Sequence, residues 1–360
     1  LALISVYNDA ELLKARGRLK DAARMYERGL ALAARHGDAV TGLANLHFGL
    51  SELRCEQGEL ETARGQLQLG AALGMSPVPP STPYRHCLAR ARLQQSLGDI
   101  AGAIELLDEA EPLYVRTPVP NVRPLAAWRA RLWLKQGQLS EALDWTCTQG
   151  LSAGAALDYE REYHHITLAR ALIARYEATR DVDSGREVGE LLERLRDAAE
   201  AGGRMGAVIE IMVLQAVLHH VQHEIPSALV HLKRALELAG PEGYVGTFVD
   251  EGKPIRELLR HAVAGGIGGA YAVGLLAAAE GRSGGDTVAM TDTQGLAEPL
   301  TAREVEILRR VAVGLRNQQI ADHLVISLPT VKRHIANTYG KLGAGHRTEA
   351  VARATELGLL

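Results

Sequence analysis

The chain has little of several residue types on which other protein classes depend. Aromatic residues make up 4% of its 360 residues, and its three cysteines, Cys55, Cys87 and Cys147, are not paired at a spacing typical of zinc or redox motifs. Scattered cysteines fit a reducing cytoplasm. No apolar run is long enough to span a membrane, and the first residues lack the pattern of a secretory signal. We therefore expect neither a disulfide scaffold nor a membrane protein.

Alanine, leucine, arginine and glutamate are plentiful, a composition that favours helices over sheets. From Leu300 onward nine basic and five acidic side chains give a net charge of +4, whereas the whole chain carries −3, so residues 1–299 carry −7. A basic end on an acidic body predicts a DNA reader attached to a body that does not itself bind DNA. The chain begins without methionine and apparently inside a helix, which suggests a fragment of a longer protein.

The stretch 300–342 predicts three short helices. Thr301 and Glu304 form a capping box at the start of the first helix, in which each side chain accepts from the other residue's amide. Asn317 is the predicted cap of the second helix and Ser327 that of the third.

The third of these helices has an apolar and a polar face. Steps of four, three and four positions predict its buried side: Val331, Ile335, Thr338 and Leu342. The opposite side holds residues predicted to point away from the core: Lys332, Arg333, Ala336 and Asn337. Two helices joined by a tight turn, the second with basic residues near its start, are typical of a helix-turn-helix.

The first two turns of such a helix reach base edges in the major groove. Lys332 and Arg333 are suited to donate to guanine O6 and N7, and Asn337 to pair with adenine. The other predicted DNA-binding residues surround this face: Asn317, Thr330, His334, Lys341 and Arg347. Of these, Thr330 and His334 are expected on the flanks near phosphate, and the last two on a positive rim along the DNA backbone.

Many fixed positions over about sixty residues resemble the LuxR-type DNA-binding domain. The matching blocks are Leu300-Thr301-x-Arg303-Glu304-x-Glu306-x-Leu308, Gly314-x-x-Asn317-x-x-Ile320-Ala321, Leu324-x-Ile326-Ser327-x-x-Thr330-Val331-Lys332-x-His334, Lys341-Leu342 and Arg347-Thr348. The resemblance implies a four-helix domain that binds DNA as a dimer.

In that family the fourth helix is a common dimer contact. Here it is expected over residues 347–357, with one side formed by Ala350, Val351, Ala354 and Leu357. The family's base contacts correspond to Lys332, Arg333 and Ala336, of which the alanine offers only a methyl contact. Two positions depart from the family: Arg316 replaces a small hydroxyl residue, and Thr338 replaces an aliphatic core residue.

A short pattern recurs through the first two-thirds of the chain. Its first copy is Gly17-Arg18-Leu19-x-x-Ala22, and the aliphatic anchors of six copies are 41, 40, 39, 43 and 43 residues apart. The later clear copies begin at Gly58, Gly98 and Gly137, and the weaker ones at Val182 and Ile225. Such a period is typical of an array of helical hairpins. One helix is predicted to end at the glycine, and the small alanine lets the next helix pack closely against it.

These repeats resemble tetratricopeptide repeats with a somewhat longer unit. The segment AGPEGYVGTFVDEGKP, from Ala239 to Pro254, is similar to the stretch that closes the repeat array in large LuxR regulators of the MalT type. That resemblance places a nucleotide-hydrolysing module before the repeats. The phosphate-loop pattern G-x-x-x-x-G-K-[ST] is absent from this sequence, so we expect no such activity from the chain.

The patterns predict an all-α chain with three parts. These are a tetratricopeptide-like superhelix of hairpins (residues 1–260), a short helix with a flexible linker (261–295) and a four-helix LuxR-type domain (296–360). The short helix is expected over residues 271–279, and the polar, glycine-rich stretch 282–298 is expected to be flexible.

Two groups of side chains are further candidates. Four aromatic residues in neighbouring repeats are candidates for a ligand groove on the concave face, although packing between repeats is the commoner role: Trp128, Trp133, Tyr159 and Tyr163. His219 and His223 have a zinc-compatible helical spacing, but no third ligand is evident, and a solvated helix end explains them better. We therefore predict no metal and no cofactor.

We expect a cytoplasmic transcriptional regulator that reads double-stranded DNA as a homodimer. The repeats are expected to receive a small-molecule inducer or a protein partner. Enzymatic activity and a membrane location are not expected. One alternative is an interaction scaffold in which DNA binding is secondary. Another is the regulatory end of a nucleotide hydrolase, which the missing phosphate loop counts against.

Overall fold

The computed structural model describes residues 2–36, 42–73, 79–115, 123–287, 300, 302–324 and 328–357. Within these ranges the chain forms helices and turns but no β-strand, which confirms the all-α class. None of the described helices is both long and apolar enough to cross a bilayer. The chain divides into two compact units, residues 1–96 with 103–279, and residues 97–102 with 280–360.

Within the described part of residues 1–260, here called the repeat domain, six successive helix pairs are each joined by a turn of two or three residues. The pairs are α1 (Ala2–Ala15) and α2 (Leu19–His36), α3 (Leu43–Glu56) and α4 (Leu60–Ala72), α5 (Thr82–Ser96) and α6 (Ile100–Ala110), α7 (Leu125–Lys135) and α8 (Leu139–Thr148), α9 (Glu162–Thr179) and α10 (Val182–Ala201), and α11 (Met205–Val221) and α12 (Ile225–Ala239). Each second helix starts at or next to a predicted anchor. Short 3-10 turns occupy Glu111–Leu113, Tyr159–Arg161 and Gly240–Glu242.

The turn between the helices of each pair contains a residue in the left-handed region. The four clear copies use glycine, as predicted: Gly17, Gly58, Gly98 and Gly137. The two weaker copies have no glycine there, and Arg180 (φ 56°) and His223 (φ 65°) adopt the conformation instead. A non-glycine residue in this region costs about 1 kcal/mol, which the packing of the last two pairs has to offset.

The small residue predicted in the first turn of each second helix is buried. The alanines at this position have no exposed surface: Ala22, Ala63, Ala103, Ala142 and Ala228. Gly185 takes the same place in the fifth pair and is also buried. A side chain no larger than a methyl group therefore allows the helices of each pair to approach closely. Among the described residues, one apolar core runs continuously from α9 through α12.

The helix array curves until its ends meet. The turn at Gly17 lies against Met205 at the start of α11. The backbone N–H of Lys20 donates to Glu242 Oε2 at 2.9 Å, and that of Val245 donates to the Glu56 carbonyl oxygen at 2.8 Å. Contacts over such sequence separations close the superhelix around a central space.

Three helices follow the array. The first, α13 (Gly246–Val249), belongs to a stretch from Tyr244 to Glu251 that we call the closing segment, and α14 (Lys253–Ala264) and α15 (Gly269–Thr287) come after it. The last of these begins two residues before the predicted short helix and ends eight residues after it, so it includes residues 282–287 of the predicted linker. Glycine weakens a helix by about 1 kcal/mol per residue but does not end it, and this stretch has no proline. Residues 288–299 lie outside the described ranges.

The described part of residues 296–360, here called the C-terminal domain, has four helices: α16 (Ala302–Ala312), α17 (Asn317–Leu324), α18 (Leu328–Leu342) and α19 (Arg347–Glu356). One apolar cluster joins α16, α17 and the start of α18, and a second joins α16, the end of α18 and α19. The predicted caps Thr301 and Ser327 lie outside the described residues.

Asn317 was predicted as the cap of α17, but it is the first residue of the helix. The residue before the helix is Arg316, whose backbone N–H donates to Gln319 Oε1 at 2.9 Å. This is the backward half of a capping box, and it needs no hydroxyl at position 316.

We predict that replacing Gly17 destabilises the repeat domain, because Gly17 lies at the contact between the two ends of the helix array. A Cβ at Gly17 would lie 2.9 Å from Met205 Cβ, whereas a Cβ at Gly137, whose φ is almost the same, would have no described atom within 4 Å. Gly137→Ala should cost about 1 kcal/mol from the backbone alone, and Gly17→Ala about 1–3 kcal/mol more from overpacking. Thermal unfolding of both variants tests this, and equal midpoints would contradict the closure contact.

Candidate nucleic-acid interface

The two faces of α18 are as predicted. Val331, Thr338 and Leu342 are buried, with Ile335 half-buried beside them. The opposite face is exposed and consists of Lys332, Arg333, Ala336 and Asn337. The helix therefore presents two cations, a methyl group and a carboxamide to solvent, with its aliphatic side held by α16 and α17.

Two residues predicted on the flanks of this face are buried. Thr330 is 6% exposed and His334 7%, so the prediction that they contact phosphate from an open flank was wrong. They precede Thr338 by eight and four residues, so all three lie on one side of the helix, against the core. The Thr338 hydroxyl donates to the His334 carbonyl oxygen at 2.7 Å, which satisfies a polar side chain at a usually aliphatic position.

Two residues predicted as a positive rim hold the domain together instead. Lys341 Nζ lies 3.0 Å from Glu304 Oε2, and the Glu304 side chain is only 4% exposed. The guanidinium of Arg347 donates to the carbonyl oxygens of Val311 and Leu315 at 2.6 and 3.0 Å, where α16 ends. Both contacts join elements far apart in sequence, so periodicity within one helix does not reveal them. Asn317 is half-buried at the start of α17.

The predicted dimer residues of α19 face inward. Ala350 and Ala354 have no exposed surface and pack in the second apolar cluster, and Val351 and Leu357 are half-buried. Their spacing marks a core stripe, and the sequence pattern alone does not distinguish a core stripe from a dimer stripe. The exposed side of α19 is formed by Thr348, Ala352 and Thr355.

Burial also affects the pKa of Tyr339 on α18. Burial raises the pKa of its phenol, against the opposing effect of Arg347. The hydroxyl is therefore uncharged at neutral pH and adds no negative charge next to the cationic face.

Three of the four candidate aromatic residues line the central space of the repeat domain. Trp128, Tyr159 and Tyr163 border a cavity of about 480 Å³. Trp133 is not among the lining residues, because it packs with Trp145 in a separate apolar cluster.

Ion pairs cross this cavity. Glu210 Oε1 accepts from Arg131 at 2.6 Å and from Arg170 at 2.9 Å, and the guanidinium of Arg131 stacks 3.6 Å from the centre of the Tyr163 ring. Burial alone would raise the pKa of Glu210, but the two guanidinium groups lower it to about 2. The carboxylate is thus ionised throughout the physiological range, and three inner helices are tied together by charge.

The closing segment is bound to the cavity wall by two adjacent carboxylates. Asp250 Oδ2 accepts from Arg92 at 2.6 Å and from Gln95 at 2.8 Å, and Glu251 pairs with Arg170. Sequence reasoning missed this role. The only signal was the acidic pair in an otherwise apolar stretch, and nothing in the sequence pairs it with arginines 80 to 160 residues earlier.

The candidate zinc histidines are used otherwise. His219 Nδ1 lies 2.8 Å from Glu224 Oε2 and its ring stacks on His231, while His223 occupies the left-handed turn position. In the described ranges no group of three His, Cys, Asp or Glu side chains is arranged to hold a metal ion.

We predict that the Lys341–Glu304 pair stabilises the contact between α16 and α18. Lys341→Met leaves a buried carboxylate without this partner and should lower the local opening free energy by about 3 kcal/mol, whereas Lys341→Met with Glu304→Leu should restore most of it. Arg310→Met is the control, because its pair with Glu306 is more exposed and should contribute about 0.5 kcal/mol or less. Amide hydrogen exchange in both helices measures the effect; equal losses in Lys341→Met and Arg310→Met would refute it.

Two family models match the chain. The model of the MalT-like TPR region matches residues 1–264, and that of bacterial regulatory proteins of the luxR family matches residues 298–354. The first match covers more than two-thirds of the chain, and the second contains all of α16, α17 and α18.

Two curated relatives are similar over shorter stretches. The uncharacterized transcriptional regulatory protein YxjL of Bacillus subtilis (strain 168) is 44% identical over 70 residues, which are 19% of this chain and 32% of that protein. The HTH-type transcriptional regulator MalT of Serratia proteamaculans (strain 568) is 48% identical over 59 residues, 16% of this chain and 6% of that protein. The match thus spans a third or less of either relative.

The relatives are named as transcriptional regulators, and the matched luxR-family region contains the helix whose cationic face is exposed. The chain belongs to the family of proteins with a MalT-like TPR region, and its residues 298–354 match the luxR family of bacterial regulatory proteins.

Proposed function

We propose that α18 reads DNA with its exposed face in the major groove. Lys332 and Arg333 donate to guanine O6 and N7, Asn337 pairs with adenine, and Ala336 contacts a thymine methyl group. The observation that supports this most is the division of α18, which exposes these side chains while Val331, Thr338 and Leu342 anchor the other side. The buried residues Thr330 and His334 act by positioning the helix.

Contacts to the DNA backbone are proposed at the start of α17. The first backbone N–H groups of a helix carry no intrahelical partner and attract phosphate, and Asn317 stands at this end. Lys341 and Arg347 are not proposed as phosphate contacts, because each is engaged within the domain.

The active form on DNA is proposed to be a homodimer. Ala350 and Ala354 are buried and Val351 and Leu357 are half-buried, so the outer side of α19 is the proposed contact, formed by Thr348, Ala352 and Thr355. These residues follow the spacing of one helix face, and their small side chains allow two helices to approach closely.

The repeat domain is proposed to receive an effector in its central cavity and to control DNA binding. A cavity of about 480 Å³ with aromatic and charged walls has the size of a small-molecule site. The chain is proposed to act by binding and not by catalysis, in the cytoplasm, where bacterial DNA is accessible.

Arg333→Ala should relax the base preference at one position of the selected site, at a cost of about 1–3 kcal/mol for the cognate sequence. Selection of bound DNA from a random pool, followed by affinities for matched and mismatched sites, measures this. Arg309→Ala removes an exposed cation from α16 and is the control, with unchanged preference. If Arg333→Ala weakens all sequences equally, the assignment of Arg333 to a base edge is wrong.

Ala352→Arg should disrupt the dimer on DNA, because it places two like charges and two long side chains at the proposed contact. We expect binding to a two-fold site to lose its cooperativity, while affinity for a single half-site stays within about a factor of two, as for a change away from the DNA. Ala312→Arg, at another exposed alanine, is the matched control. Unchanged cooperativity in Ala352→Arg would exclude this face of α19.

A further inference from the structure

The cavity of the repeat domain is charged but balanced. Six inner helices, α1, α3, α5, α7, α9 and α11, line it together with the closing segment and a few residues that flank the helices. The lining residues include seven basic and seven acidic side chains. Removing a net charge from water is costly, so a neutral set of walls favours a ligand that also has no net charge.

Many of these charges have close partners. Arg92 lies 2.9 Å from Glu56, Arg204 lies 2.7 Å from Glu162, and Glu210 accepts from two arginines. Two of the less well paired charges have opposite sign: the carboxylate of Glu52 on α3 and the ammonium group of Lys135 at the end of α7.

The Glu52 carboxylate has room for a donor. The nearest cation within the described ranges is Lys14 Nζ at 3.9 Å, and that ammonium group is closer to Glu11, at 2.8 Å. No described side chain or backbone group donates a hydrogen bond to Glu52, although its side chain is only 18% exposed. Burial raises the pKa of Glu52 and the neighbouring Glu11 raises it further, while Lys14, Arg123 and Arg85 oppose the rise without donating a hydrogen bond to the carboxylate.

The Lys135 ammonium group is in the converse situation. It donates to the backbone carbonyl of Asp250, but the nearest Asp250 carboxylate oxygen is 3.9 Å away, and that carboxylate already accepts from Arg92 and Gln95. Burial lowers the pKa of Lys135, against the opposing effect of Asp250 and Glu251. The ammonium group therefore has N–H groups that can donate to a ligand in the cavity.

We propose that this cavity binds a small zwitterion, an α-amino acid or a short peptide, with its ammonium group at Glu52 and its carboxylate at Lys135. The inference rests on the proposed role of the repeat domain as the receiver of an effector. A zwitterion supplies what each of the two groups lacks and leaves the cavity neutral. Trp128 and Tyr159 offer aromatic surface to the ligand's side chain. The carboxylate would bind next to the closing segment, which gives the ligand a direct contact with the part that completes the superhelix.

The test uses the full chain and a defined set of probes. Each of the twenty common amino acids, and the di- and tripeptides built from any that bind, is titrated by calorimetry and by thermal shift. We expect at least one probe to bind and to raise the unfolding midpoint. Its N-acetylated and C-amidated forms should bind at least about tenfold more weakly, because each loses a charge-assisted hydrogen bond. Neutral polyols of similar size should produce no shift.

Two variants locate the ends of the ligand. Glu52→Gln should remove the preference for the free ammonium group, so that parent and N-acetylated probes bind with the same affinity. Lys135→Gln should do the same for the free and amidated carboxylate. A loss of protein stability alone would not remove the preference for one end of the ligand and leave the preference for the other end. Lys253→Gln, at an exposed lysine on α14, should keep both preferences and is the matched control.

Three outcomes would overturn the inference: no probe binds, the blocked forms bind as tightly as the parents, or the variants keep both preferences. DNA affinity measured in the same samples separates this from the proposed function. If a zwitterion binds and DNA affinity is unchanged, the proposed zwitterion site is supported, and the proposal that the repeat domain controls DNA binding is contradicted. A polyol that binds and changes DNA affinity overturns the zwitterion and supports an effector site.

Discussion

A helix pair with one apolar stripe cannot cover that stripe by itself, and this constraint shapes both units of the chain. In the repeat domain each pair is covered by the next, so the array grows until its ends meet, with Gly17 beside Met205 and Val245 bonded to Glu56. In the C-terminal domain, α16 contributes to both apolar clusters and covers the inner side of α18. Burial on one side of a helix determines what the other side offers to a partner.

Closure of the repeat domain has an electrostatic consequence. The inner helices turn polar residues toward a central space, where water is limited and an unpaired charge is costly. Most of those charges are held in pairs that bridge different repeats, such as Arg131 with Glu210, and the closing segment is bound through Asp250 and Glu251. The same interactions that complete the fold therefore define the distribution of charge around the cavity.

In the C-terminal domain the basic residues fall into two classes that composition does not separate. Lys332 and Arg333 are exposed on α18, whereas Lys341 and Arg347 link α18 and α19 to α16. Lys341 and Arg347 fix α18 and α19 relative to α16, and so determine the direction in which Lys332 and Arg333 point. Net charge alone therefore does not tell which basic side chains of the domain are exposed and which link its helices.

The sequence by itself determined what depends on local periodicity. The repeat period, the turn glycines, the buried alanines and the two faces of α18 follow from the 3.6-residue turn and from the conformational freedom of glycine, so they were predicted correctly. Only the tertiary structure decided which apolar helix faces are buried in the core and which polar side chains contact one another. Ala350 and Ala354 are buried in the core of the C-terminal domain, Thr330 and His334 face the core, Trp133 packs in a separate cluster, and Asp250 binds an arginine 158 residues earlier. These outcomes depend on how helices distant in sequence are arranged in space, and a periodicity within one helix holds no information about that arrangement.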